Sequence, residues 1–267
     1  MLRAAELRAI AREVGFPVDV IEKDYALGWI LAGVVGSSAG SRLVFKGGSA
    51  LSKIYFPGAW RLSEDLDFTL RRAPDLDELG SILVSELPSL VREASGGLSI
   101  AVRDSPHVAG NEYLQVKVRF EGAIGSGTVK LEASREDPIG PVSIRSLARA
   151  YRDYPALRVS VYAVENIVAE KLRAMAERKR VRDYYDVWKL TRTRKIDWSA
   201  VRVLFPKKCA FKGMEVTTIE DLAPKGLERT LGPYLERGLL RLTKEPLPPL
   251  RMWLGELRNV VSREMRL

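Results

Sequence analysis

The sequence predicts an α+β protein: a mixed sheet with flanking helices over residues 1–145, then a mainly helical part over residues 146–267. Three observations carry this. The runs "YLQVKVRF" (113–120) and "TVKLEAS" (128–134) alternate apolar and polar residues on either side of the glycine-rich "EGAIGSG", the pattern of a half-buried hairpin. The segment 45–68, "FKGGSALSKIYFPGAWRLSEDLDF", joins an apolar run, a glycine pair, a short helical stretch and an alternating strand. From Val164 onward the period is helical, with apolar residues three and four apart.

In chain order, residues 1–14 and 19–35 read as two helices broken at "GFP" (15–17). Leu43–Phe45 is a short strand; Gly47-Gly48 turns the chain, and Ser49 suits the N-cap of a helix over Ala50–Tyr55 that "FPGAW" ends. Residues 65–70 form a strand with Asp65 and Asp67 on one face, 75–94 a helix with an acidic first turn, and 96–104 a strand. After the hairpin comes the break "REDPIGP" (135–141), then helices over Glu165–Arg178 and Val181–Thr191. Residues from Ser199 to the end mix helices with breaks such as "EPLPPL" (245–250). There is no internal repeat.

The 267 residues, 46% hydrophobic and 29% charged, suit a soluble chain with an adequate core. The longest apolar run, around Gly28–Val35, is too short to span a bilayer, and the charged amphipathic start lacks the apolar centre of a secretory signal. No membrane partner and a cytoplasmic location are expected. A single cysteine, Cys209, excludes an internal disulfide and disfavours a Cys-based zinc site. A net charge of +9 attracts polyanions, unless the cations only solvate helix faces. Ten cations lie within 170–195, among them Arg178, Lys179 and Arg180, and this favours a nucleotide or nucleic-acid partner.

The chemistry concentrates in 45–68. Glycines let backbone N–H groups approach phosphate oxygens, and a helix N-terminus adds donors. Asp65 and Asp67 project side by side and repel unless a cation lies between them. Mg²⁺ is the expected cation, because it takes carboxylate and phosphate oxygens together. Glu132, on the hairpin, has the right type to supply a third carboxylate. A Walker-type loop is excluded, since Lys46 precedes the glycines. His107, the only histidine, lies in the loop-like "DSPHVAGNE" and has no nucleophile motif beside it. Lys23 of "EKDY" could approach a nucleotide, though packing and salt bridging explain it equally well. Asp183 and Asp186 share a helix face, and Lys171 flanks the apolar stripe of the preceding helix.

"KGGSAL" followed by "RLSEDLDF" resembles the signature of the DNA polymerase β-type nucleotidyltransferase superfamily, and more closely the AbiEii/AbiGii toxin family, which includes the MenT toxins. The segments "VIEKDYALGWIL" (20–31), "VKLEASRED" (129–137) and "VAEKLRAMAERKRVRDYYDVWKL" (168–190) are similar to that family as well; the last quarter of the chain is not placed by it. The resemblance implies a nucleotidyltransferase core and a helical domain with the active site between them. Asp65, Asp67 and Glu132 would bind metal, with Lys171 and Asp183 completing the catalytic set. Lys46, Gly47, Gly48, Ser49, Arg61, Ser63 and Asp186 would bind substrate. One departure is Glu64, which stands between Ser63 and Asp65.

The expected activity is Mg²⁺-dependent nucleotidyl transfer from an NTP by a toxin of a toxin–antitoxin or phage-defence pair. Its partners would be an RNA acceptor, favoured as a tRNA 3′ end, and a cognate antitoxin. The alternatives are nucleotidylation of a protein, or a non-catalytic nucleic-acid-binding module on the same scaffold.

Overall fold

Among the described residues, seven strands join in one mixed sheet, in the order β3-β4-β5-β2-β1-β7-β6. They are β1 Leu43–Lys46, β2 Asp65–Leu70, β3 Ser99–Ala109, β4 Tyr113–Glu121, β5 Ser126–Ser134, β6 Val142–Ser146 and β7 Arg158–Tyr162. β2 runs antiparallel to β1 and parallel to β5, and β1 runs parallel to β7. The structure, a computed structural model, describes every residue except 59, 72–74, 111, 136–139 and 245. Residues 136–139 of the break expected after the hairpin, Asn111 of the histidine segment and Glu245 of the proline-rich break therefore lie outside the described residues.

The chain divides into two compact units, Met1–Tyr162 and Ala163–Leu267. The sequence pattern puts the boundary at 145, because β6 and β7 are only five residues each and carry no long alternation. The pairing of β7 with β1 and of β6 with β7 extends the first unit to Tyr162.

In the first unit the alternation of the strands sorts the sheet into two faces. Phe45, Leu66, Phe68, Val116 and Leu131 are buried on one of them. Helices α2 (Val18–Gly36) and α4 (Leu76–Ser95) pack on the strands and on each other, and α1 (Ala4–Val14) packs on α2. The other face carries Lys46, Asp65, Asp67, Gln115 and Glu132.

Four consecutive residues of α2 tie distant parts of this unit together. The Glu22 carboxylate, 4% exposed, accepts from the N–H groups of Ile124 (2.7 Å) and Gly125 (3.0 Å) in the β4–β5 turn. Lys23 pairs with Glu64 at 3.9 Å. Asp24 holds the buried Lys53 ammonium at 3.0 Å and accepts from the Tyr151 hydroxyl. Tyr25 donates to Asp153. The "EKDY" motif is thus a structural clamp, and salt bridging is the reading of Lys23 that the structure supports.

Two local expectations are corrected. The helix after β1 starts three residues earlier, as α3 (Gly47–Ala50), and continues through a wider turn over Leu51–Tyr55; Lys46, not Ser49, stands at its cap. β3 runs on to Ala109 through an irregularity between Arg103 and His107, with Asp104 at φ 61°, so His107 is a strand residue opposite Gln115 rather than a loop residue.

The second unit contains α5 (Val164–Arg178), α6 (Val181–Thr193), α7 (Trp198–Phe211), the short helices α8 (Ile219–Leu222), α9 (Leu227–Leu231) and α10 (Leu235–Gly238), and α11 (Leu250–Met265). α5 packs on α6 and α7, and α11 packs on α6 and α7. Trp188 and the fully buried Trp253 meet with ring centroids 5.6 Å apart, and the Tyr184 hydroxyl donates to the main chain of Met175 and Leu222. Tyr184, Tyr185 and Trp188 are core residues.

Candidate active site

The "KGGS" turn and the "RLSEDLD" strand pack against each other almost residue by residue. Gly47 has φ 73°, a conformation that a side chain disfavours. A Cβ there would stand 2.3 Å from Asp67 Oδ2, so the missing side chain is what admits this carboxylate. At Gly48 a Cβ would lie 2.6 Å from Arg61 Nη2 and 3.4 Å from Ser63 Oγ. Ser49 is fully buried, and its hydroxyl donates to the main-chain oxygen of Asp65. The glycine pair therefore makes room for the aspartate strand and for Arg61, whose Nη1 donates to the Leu62 carbonyl at 3.0 Å.

Register then builds a polar row across the sheet. Lys46 pairs with Asp67, Asp67 with Glu132, and Glu132 with Gln115. Laterally paired residues point to the same face, so one cation, two carboxylates and an amide stand side by side on four strands. Asp65 lies two residues along β2 on that face, opposite Lys130. The Lys46 ammonium donates to Ser134 Oγ at 3.1 Å and lies 5.8 Å from the centroid of the Tyr162 ring. Gln115 Nε2 donates to Glu132 Oε1 at 3.0 Å and to the Tyr113 hydroxyl at 2.9 Å. Burial, then the neighbouring Glu132 carboxylate, push the Tyr113 hydroxyl well above its ordinary value, so it keeps its proton. Sequence reasoning missed Tyr113 and Gln115 as partners of Glu132; only the cross-strand register of β4 and β5 reveals them.

Among the described residues, no three His, Cys, Asp or Glu side chains converge as a ready metal cluster. Asp65 and Asp67, both half-buried, still offer the hard oxygen donors that magnesium takes when substrate phosphates and water supply the rest. The residues present fit a two-carboxylate, substrate-completed site, with Glu132 tied to Gln115.

The remaining predicted residues belong to the second unit and form their own network. Lys171 Nζ lies 2.7 Å from Asp183 Oδ1 and 2.9 Å from Asp186 Oδ2, and the three side chains are 10%, 2% and 0% exposed. Arg178 Nε also bonds Asp183, at 3.0 Å. Burial alone would raise the Asp183 carboxyl; Lys171 and Arg178 outweigh it and hold the group well below the usual carboxylate range. Arg178, read from sequence with the basic run, is thereby engaged with Asp183.

A glycine turn locked onto an Asp-x-Asp strand, on a mixed sheet followed by a helical unit, defines a protein of the nucleotidyltransferase fold. MenT4, a nucleotidyltransferase toxin from Mycobacterium tuberculosis H37Rv, is similar over 98% of this chain and 90% of its own, with a TM-score of 0.73 at 22% identity. JHP933 from Helicobacter pylori is similar over 94% and 95%, with a TM-score of 0.59 at 17% identity. Sequence comparison matches residues 29–249 to the nucleotidyl transferase AbiEii toxins of type IV toxin–antitoxin systems, and the chain belongs to that family. It is a nucleotidyltransferase, and the family carries with it an NTP substrate and a cognate antitoxin. No curated protein matches by sequence. No helix among the described residues is long and apolar enough to cross a membrane.

Proposed function

We propose that the chain transfers a nucleotidyl group from an NTP to RNA in the cytoplasm, with a tRNA 3′ end as the favoured acceptor and Mg²⁺ as cofactor. The observation that carries this reading is the polar row Lys46–Asp67–Glu132, with Asp65 on the same face. Asp65 and Asp67 would hold magnesium, which when bound supplies charge neutralisation at the phosphates. The main chain at Gly48 and Ser49, with Lys46 and Arg61, would orient the triphosphate. Glu132, aligned by Gln115, would take the proton of the acceptor hydroxyl as its oxygen bonds to the α-phosphorus and the bond to the β-phosphate breaks. Pyrophosphate leaves. Ser63 would support the turn. Lys171, set by Asp183 and Asp186, would neutralise phosphate charge.

The test is purified protein with each labelled NTP, Mg²⁺ and total RNA. Label on RNA that depends on Asp65 and Asp67 is the expected outcome. Label on protein alone would assign a protein acceptor, and no label on either would leave the non-catalytic reading.

A further inference from the structure

The excess charge is not shared between the units. Residues 1–162 hold 20 basic and 20 acidic residues, and residues 163–267 hold 23 and 14, so the whole +9 lies in the second unit. Such a division between parts of one chain marks one part as the polyanion-binding one.

Within that unit an open groove of about 780 Å³ lies between the end of α6, the start of α7 and the end of α11. Arg194, Lys195, Arg202 and Arg263 line it, with Trp198 among them. Arg194 and Lys195 are exposed, and their side chains make no hydrogen bond or ion pair among the described residues. The half-buried Trp198 indole has no ring stacked on it and no cation over it among those residues. The acids present are largely engaged: Asp197 caps α7 through the N–H groups of Ser199 and Ala200, and Glu264 pairs with Arg263 at 2.9 Å. Glu165 is the third acid of the lining.

We infer that this groove binds single-stranded nucleic acid, one base stacking on Trp198 while Arg194 and Lys195 hold the flanking phosphates. An open aromatic face beside free cations is the arrangement that binds single strands with little sequence preference, because every base has a π-face and every linkage a charge. The site deepens the RNA-acceptor reading above and rests on it for its biological role, since it would hold the body of the acceptor.

The experiment measures fluorescence anisotropy of a labelled 12-nucleotide single-stranded RNA with the full chain across a salt series. Trp198→Ala should weaken binding by roughly 5- to 150-fold, and Trp198→Phe, which keeps a stacking ring, should restore most of it. Arg194→Glu with Lys195→Glu should flatten the slope of log K against log salt by about 1.4, two phosphate contacts at the single-strand value. NTP binding and thermal stability should be unchanged in the charge variant, because Arg194 and Lys195 make no side-chain hydrogen bond or ion pair among the described residues. Wild-type affinity in either the Trp198→Ala or the charge variant overturns the inference. So does binding of inorganic polyphosphate as tight as that of RNA, since polyphosphate has the charge without the bases. RNA binding at this groove without nucleotidyl transfer to RNA would keep the site and reject the acceptor reading; transfer to RNA with an unaffected charge variant would do the reverse.

Discussion

At Gly47 a single hydrogen atom stands where a methyl group would meet Asp67 Oδ2 at 2.3 Å. Gly47→Ala combines that overlap with a positive φ. It should lower stability by about 1–2 kcal/mol and reduce transfer at least as far as its shift of Asp67. A thermal melt and a transfer assay on one preparation check both. Asp65→Asn and Asp67→Asn should each lower kcat by about a hundredfold or more while the protein stays folded. Asp65→Asn should hold or slightly raise the melting temperature by relieving repulsion, whereas Asp67→Asn also takes the carboxylate away from the Lys46 beside it. Near-wild-type transfer by either in Mg²⁺ would remove the metal assignment. At this scale the sequence is informative where spacing alone decides: the i, i+2 aspartates and the glycine pair are legible. The link from Glu132 to Gln115 and Tyr113 is not, because neighbours across strands leave no local pattern.

The α5–α6 pair makes a sharper case for separating role from fold. Lys171→Met leaves Asp183 and Asp186 buried without their shared cation, and should cost about 3–5 kcal/mol. Loss of activity in that variant alone would therefore say little about phosphates. Lys171→Arg, which keeps the charge, should retain most stability, and a raised KM for NTP in it would speak for substrate contact. The sign of the pH effect follows from the depressed Asp183 group: its contribution is full above the unfolded value of about 3.9 and is lost as pH falls through that value toward the lower folded one. Denaturant melts between pH 7 and pH 2.5 should show the gap between wild type and Lys171→Met narrowing only in the acid range. A constant gap would mean the ion pairs do not carry the stability. Lys171 beside the apolar stripe and the shared face of the two aspartates are legible from helical period; their joint hold on Lys171 depends on how α5 and α6 pack.

For the whole chain, the α+β class and the sequence of elements through the hairpin follow from alternation and helical period. The end of the first unit does not, because β6 and β7 are short, separated by eleven residues, and join the sheet only through the pairing of β7 with β1 and of β6 with β7. Glu22 likewise reaches over a hundred positions along the chain to the β4–β5 turn. Glu22→Ala should cost about 2–3 kcal/mol by leaving two N–H groups without their acceptor, and Glu22→Gln about half of that. Hydrogen exchange at Ile124 and Gly125 should rise in Glu22→Ala; unchanged protection would show that the turn holds itself.

Helix α2 sends four consecutive residues to four separate anchors, and this bears on how the family can vary in length. Inserting or deleting one residue between Tyr25 and Val34 turns residues 22–25 by about 100° about the helix axis relative to the rest of the chain and moves them about 1.5 Å along it. The hairpin turn, Glu64, Lys53 and Asp153 would lose their partners together, although no residue in contact had been substituted. A library of single-residue insertions should therefore be empty of folded clones over 26–34 and populated in the surface connection at 212–217, so the helix tolerates changes of side chain far better than changes of length.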